Sequence, residues 1–229
     1  QVAVRPPPGR VGVTGALPGG AWRALLPRAL TLIDEIRVHG GIADPFWTLG
    51  GGTVLMFRHR HRLSKDIDIF VSDPQYLGFV TPRLNNVAAD MTADYTEQPS
   101  AWVKLQFEEG EVDFVASPNL LGDAWETWEI DGHAIRVETA AEIIAKKMFH
   151  RGDRVTARDL FDLALVVERE PAQLKVASPF LIRHRQAFLE QIRNPHPTLK
   201  TAFAAIATLD YTPDFDNCVA SAGTFLEEL

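Results

Sequence analysis

LGGGTVLMFRHRHRLSKDIDIF, residues 49–70, carries glycines at 50–52 and then two aspartates, Asp66 and Asp68, separated by one isoleucine. DIDIFVS (66–72) alternates acid and apolar residue, the period of a strand with one polar and one apolar face. On such a strand residues i and i+2 share a face about 6.6–7 Å apart, so the two carboxylates stand side by side. Like charges that close require a cation. Mg²⁺ suits the setting, because it is held by one or two carboxylates together with phosphates and water. In two-metal phosphoryl or nucleotidyl transfer, such ions about 3.5–4 Å apart clamp the attacking and leaving oxygens. A third carboxylate is expected from a neighbouring strand, and Asp113 in EVDFV has the same apolar-flanked setting.

Upstream of the acids, Gly51 and Gly52 let backbone N–H groups approach a phosphate, and a helix starting there adds a favourable dipole. Thr53 can add a hydroxyl contact. Arg58, Arg60, Arg62 and Lys65 offer positive charge to a triphosphate or to an RNA backbone, with a solvated charged loop as the rival reading. His59 and His61 alternate with arginines that repel a metal ion, so they are not read as metal ligands.

The totals set limits. The 229 residues suffice for one large domain or two modest ones, and 46% hydrophobic with 23% charged residues fits a globular protein with a core. A net charge of −7 argues against a surface coated with cations for duplex nucleic acid. One cysteine, Cys218, excludes an internal disulfide and a Cys-based zinc site. No apolar run reaches the roughly 18–20 residues of a membrane span, and the opening residues lack the apolar core of a signal peptide, so a cytoplasmic location is expected.

Residues 1–20, with Pro6, Pro7, Pro8, Pro18 and five glycines, read as a poorly ordered arm. A helix follows with Pro27 in its first turn, an apolar stripe through Leu30, Ile33 and Ile36 or Val38, and Gly40-Gly41 at its end. Strands are expected at 46–50, 66–72, 101–107, 111–117, 127–130 and 133–138, with hairpins at Glu109-Gly110 and Asp131-Gly132. A helix is expected from Pro74 to Asp90. Thr139…Glu142 and Thr156…Asp159 read as capping boxes opening EIIAKKMFHRG and ARDLFDLALVVERE. Further helices fit 179–193, 198–208 and 217–228. The chain therefore divides into an arm (1–20), an α/β domain (21–138) and a helical domain (139–229).

The order of these motifs resembles the nucleotidyltransferase fold, and more closely the AbiEii/AbiGii toxin family of nucleotidyltransferases. GGT-x-L before S-x-DIDIF and a distal EIIAKKM…R-x-x-ARDLFDL carry the likeness, over roughly residues 47–168. The resemblance implies an α+β fold: a nucleotidyltransferase-like mixed sheet with flanking helices, followed by a C-terminal helical bundle. It implies transfer of a nucleotide from an NTP to an acceptor hydroxyl, the tRNA 3′ end among the acceptors, and control by a cognate antitoxin. Residue by residue, Gly51, Gly52 and Thr53 match the phosphate-binding turn and Asp66 and Asp68 the metal carboxylates. Lys146, or the adjacent Lys147, matches a lysine reaching nucleotide phosphates. Asp159 and Asp162 match a distal acidic pair. Thr53 stands where many nucleotidyltransferases have Ser, and Asp113 rests on fold logic alone. Two alternatives remain open at this point: a small-molecule acceptor of the antibiotic-modifying type, and a catalytically silent protein that acts by binding.

Overall fold

The computed structural model of the chain describes residues 16–229, so the expected arm over 1–20 falls largely outside the described residues. The chain divides into two compact units: residues up to 54, 64–119 and 125–138 in the first, and 55–63, 120–124 and 139–229 in the second.

In the first unit, helix α1 (Trp22–Gly40) opens more than a turn before Pro27. Its buried stripe is Trp22, Leu25, Leu26, Ala29, Leu32, Ile33 and Ile36. Burial of the upstream residues overrides the preference of proline for a first turn, and Pro27 itself faces solvent. Val38, a candidate for the stripe, is exposed. Gly41 ends the helix in the left-handed region at φ 65°. Strand β1 (Trp47–Gly50) runs straight into α2 (Gly51–His59), and β2 (Ile67–Val71) follows.

The helix expected over Pro74–Asp90 is broken. A 3-10 turn (Pro74–Phe79) is capped by Asp73, and α3 (Asn86–Met91) by Asn85, which accepts the Ala88 N–H. Two cap side chains compete with a continuous helix, and Pro82 lies in the gap.

The remaining strands are β3 (Tyr95–Gln98), β4 (Trp102–Gln106), β5 (Glu111–Ala116), β6 (Trp125–Ile130) and β7 (His133–Glu138). Among the described residues they form a seven-stranded mixed sheet in the order β3-β4-β5-β2-β1-β7-β6. The β2/β5 and β1/β7 pairs are parallel and the others antiparallel. The β6–β7 hairpin turns on Asp131 (φ 48°) and Gly132 (φ 81°), the left-handed pair that Asp-Gly favours. Ile67, Ile69, Val71, Val112 and Phe114 are buried, and α1 packs on β2 and β5.

In the second unit, α4 (Ala140–Arg151), α5 (Ala157–Arg169), α6 (Pro171–Lys175), α7 (Ser178–Leu181), α8 (Arg185–Arg193), α9 (Pro197–Ala204) and α10 (Phe215–Glu227) follow in order. A 3-10 turn at Ile182–His184 separates α7 from α8, so 179–193 is not one helix. Helix α5 is central, packing on α4, α9 and α10. Its capping box closes as the sequence indicates: Thr156 accepts the Asp159 N–H and the Asp159 side chain accepts the Thr156 N–H. Such a cap stabilises by about 1 kcal/mol.

The box at Thr139 does not close. Thr139 caps α4 by accepting the Glu142 N–H, but the buried Glu142 carboxylate accepts the N–H groups of Leu120 and Leu121, each at 2.9 Å. Two backbone donors outcompete the single N-cap N–H. Among the described residues, no helix is long and apolar enough to cross a membrane.

Candidate active site

The β1–α2 junction explains why glycines precede the acids. Gly51 has φ 69°, a conformation L side chains rarely adopt, and a Cβ there would fall on the Asp68 carboxylate. A Cβ on Gly50 would strike the carboxylate of Glu138 and the ring of Phe70. The turn is thus wrapped around two acids, with Asp68 lying against the first residue of a helix, where N–H groups favour negative charge. Thr53 is buried, and its hydroxyl donates to the Asp66 carbonyl at 2.5 Å. Expected as a hydroxyl contact to phosphate, Thr53 is instead engaged in fixing the turn against β2.

Asp68 pairs in register with Asp113 across the parallel β2/β5 ladder, so both side chains leave the sheet on one face. Burial, and then the charge of Asp68, push the Asp113 carboxyl up to about 7. Lys104 on β4 opposes part of that rise from 3.1 Å at Asp113 Oδ2, while Asp113 Oδ1 is buried and accepts no hydrogen bond. Asp66 stands just before β2, and its Oδ1 accepts the Glu111 N–H at 3.2 Å. Lys65 is exposed. Of the three carboxylates expected to act together, Asp68 and Asp113 face each other and Asp66 is engaged with the backbone of β5.

Among the described residues, no three His, Cys, Asp or Glu side chains are grouped to hold a metal ion unaided. The Asp68–Asp113 pair nonetheless fits Mg²⁺. Both are hard oxygen donors, one oxygen has no hydrogen-bond donor, and Mg²⁺ completes its shell with phosphates and water rather than an all-protein cage.

The Arg/His run belongs to the second unit and makes its own set of contacts. Residues 60–63 pair with 207–210 through backbone hydrogen bonds, including Leu63 N to Ala207 O at 2.8 Å and Leu209 N to His61 O at 2.9 Å. Arg62 donates from Nε and Nη2 to both oxygens of Asp162, each at 2.8 Å, and His61 Nε2 lies 2.9 Å from Asp162 Oδ1. Lys147 Nζ donates to the same carboxylate at 2.7 Å and to Asp159 at 3.1 Å. Arg151 adds a bond to Asp159 at 2.7 Å. Burial alone would raise the pKa of Asp162, but Arg62, Lys147 and His61 hold it well below the usual carboxylate range. Asp159 is likewise lowered by Lys147 and Arg151 against its own burial. Burial keeps His61 below the ordinary histidine value.

Elsewhere in the run, His59 lies 2.8 Å from Glu170, a contact that lowers the pKa of that acid with help from the Arg58 charge. Arg60 pairs with Asp210 at 2.7 Å. Arg60 and Arg62, expected as phosphate or RNA contacts, are therefore engaged with acids of their own unit, and Arg62 is buried. The lysine gathered with the distal acids is Lys147; Lys146, favoured from the sequence, is buried 3.5 Å from Glu142.

Several residues escaped sequence reading. Lys104 is legible in retrospect, because counting back across the Glu109-Gly110 hairpin pairs it with Asp113. Arg151 lies one turn beyond Lys147 on α4, on the same face. Glu138, which accepts the Thr48 hydroxyl at 2.8 Å, leaves no local signal, since only the β1/β7 pairing brings it beside Gly50.

The sequence profile of the family described as "Nucleotidyl transferase AbiEii toxin, Type IV TA system" matches residues 39–225. A crystal structure described as a candidate nucleotidyltransferase from H. pylori superposes with a TM-score of 0.50 at 16% identity, covering 88% of this chain and 94% of that one. JHP933 from Helicobacter pylori gives 0.49 at 17% identity, covering 93% of each chain. MenT4, nucleotidyltransferase toxin Rv2826c from Mycobacterium tuberculosis H37Rv, gives 0.45 at 19% identity, covering 91% of this chain and 89% of that one. At these identities the first likeness bears on the fold alone, and the other two carry no argument. No curated protein matches the sequence.

Proposed function

The chain belongs to the AbiEii nucleotidyl transferase toxin family, and on that premise we propose that it moves a nucleoside monophosphate from an NTP to the 3′-hydroxyl of tRNA with the help of Mg²⁺. The observation that carries the chemistry is the register pairing of Asp68 with Asp113 beside a glycine turn that opens a helix. Asp68 and Asp113 would hold the ion, with Asp66 flanking them. When bound, Mg²⁺ neutralises triphosphate charge and polarises the α-phosphate.

The protein's own groups do the rest. Backbone N–H groups at the start of α2, freed by Gly51 and Gly52, receive the phosphates. The acceptor hydroxyl forms a bond to the α-phosphorus as the bond to pyrophosphate breaks, and pyrophosphate leaves with the electron pair. The hydroxyl proton leaves to solvent water as that bond forms, because Asp113 Oδ1 is assigned to the ion and Oδ2 faces Lys104. Lys147 lies against Asp159 and Asp162, and Lys146 against Glu142.

The tRNA acceptor rests on the family resemblance and not on the Arg/His run. Membership of a type IV toxin–antitoxin family implies an antitoxin partner. The test incubates the protein with tRNA, Mg²⁺ and each labelled NTP in turn. Label is expected on tRNA with wild type and not with Asp68→Ala. Equal labelling by both overturns the assignment of the site, and label on a small hydroxyl compound in place of tRNA overturns the acceptor.

A further inference from the structure

We propose that Lys104 is a tethered counter-ion that steadies Asp113 before a divalent cation arrives and then competes with that cation for it. The inference rests on the reading that Asp68 and Asp113 hold the ion. Lys104 Nζ lies 2.7 Å from Glu111 Oε2 and 3.1 Å from Asp113 Oδ2. The other oxygen of Glu111 accepts from Gln106 Nε2 at 2.8 Å. The ammonium is thus anchored on a carboxylate that is itself held, and Asp113 is its second, longer partner. Held between the Glu111 and Asp113 carboxylates, the ammonium is a fixed positive charge beside the pair.

The geometry separates the two oxygens of Asp113. Oδ2 faces Lys104, and Oδ1 is buried without a hydrogen bond. A cation on Oδ1 and Asp68 meets the Lys104 charge a few ångströms away and is repelled by it. Because Glu111 retains the ammonium, Lys104 can release Oδ2 without leaving the site. It also offsets the repulsion between Asp68 and Asp113, which face each other in register. Its charge also weakens the hold on a free divalent ion, so the ion enters with the nucleotide, whose phosphates outweigh one ammonium.

The test measures Mn²⁺ binding to the full chain by electron paramagnetic resonance at pH 8.5, first without nucleotide and then with a non-hydrolysable NTP. Without nucleotide, Lys104→Gln is expected to bind Mn²⁺ roughly tenfold more tightly than wild type. Lys104→Arg should keep the wild-type affinity, and adding Asp113→Asn to Lys104→Gln should erase the gain. With nucleotide present, the difference between Lys104→Gln and wild type should shrink. Thermal melts confirm folding, with Lys104→Met as the substitute if Lys104→Gln does not fold. Equal or weaker binding by Lys104→Gln overturns the role of Lys104. Absence of Mn²⁺ from every form, nucleotide-loaded wild type included, overturns the metal reading beneath it.

Discussion

Asp68 and Asp113 stand opposite each other on adjacent parallel strands, so their proximity is set by backbone register and not by rotamer choice. Neither can move away without breaking the ladder between β2 and β5. The repulsion is therefore built into the sheet, and a cation relieves it.

Asp68→Asn removes one partner of that pair while keeping its shape. Nucleotide transfer should fall by about a hundredfold or more. The melting temperature should hold or rise, because a like charge facing Asp113 is gone. Label transfer and a thermal melt on the same sample check both halves. A fall in activity accompanied by unfolding contradicts the assignment.

Gly51→Ala places a side chain at φ 69° and drives its Cβ into the Asp68 carboxylate. The strained backbone alone costs about 1–3 kcal/mol, and displacement of Asp68 should remove activity as well. Urea denaturation and the transfer assay are the measurements. An active variant of unchanged stability contradicts the described turn.

The raised Asp113 value fixes the sign of a pH effect. The folded protein holds this proton up to about pH 7, whereas an unfolded chain releases it near 4, so stability attributable to Asp113 falls as pH rises through that window. The limit is about 4 kcal/mol, to order of magnitude. Asp113→Asn cannot lose this proton, so its stability relative to wild type should grow from pH 5 to 8. Parallel urea melts across that range test it.

Asp162→Ala leaves Arg62, Lys147 and His61 without their shared acid in a buried setting. The expected loss is about 3–5 kcal/mol. Because the folded Asp162 is held well below the ordinary range, its contribution is complete above the unfolded carboxylate value of about 3.9 and is lost only as pH falls through the lower folded value. The gap between variant and wild type in urea melts should be flat from pH 7 to 8, above the range in which His61 titrates, and close in acid.

What could be read from sequence were features with local causes. The alternation of DIDIF, the Asp-Gly hairpin and the Thr156 box each carry their own geometry within a few residues. What could not be read depends on partners remote in the chain. Trp22 extends α1 because it is buried, against the local signal of Pro27. Strand β3 has half-exposed and exposed residues in alternation and no apolar run, so only its pairing with β4 defines it. Glu142 looks like a capping-box acid until Leu120 and Leu121 supply better donors. The choice between Lys146 and Lys147 turns on the rotation of α4 by a single residue, which sequence spacing alone did not settle.

The engagement of the Arg/His run inside the helical unit has a consequence for how the protein meets a polyanion. Free surface cations bind nucleic acid largely by releasing condensed counter-ions, which makes affinity fall steeply with salt. Arg62 and His61 already share Asp162, and Arg60 faces Asp210. The Arg62 charge, buried and neutralised within the fold, releases no counter-ions on binding and should leave no trace in a salt titration. If tRNA is the acceptor, as proposed, its binding should depend only shallowly on ionic strength.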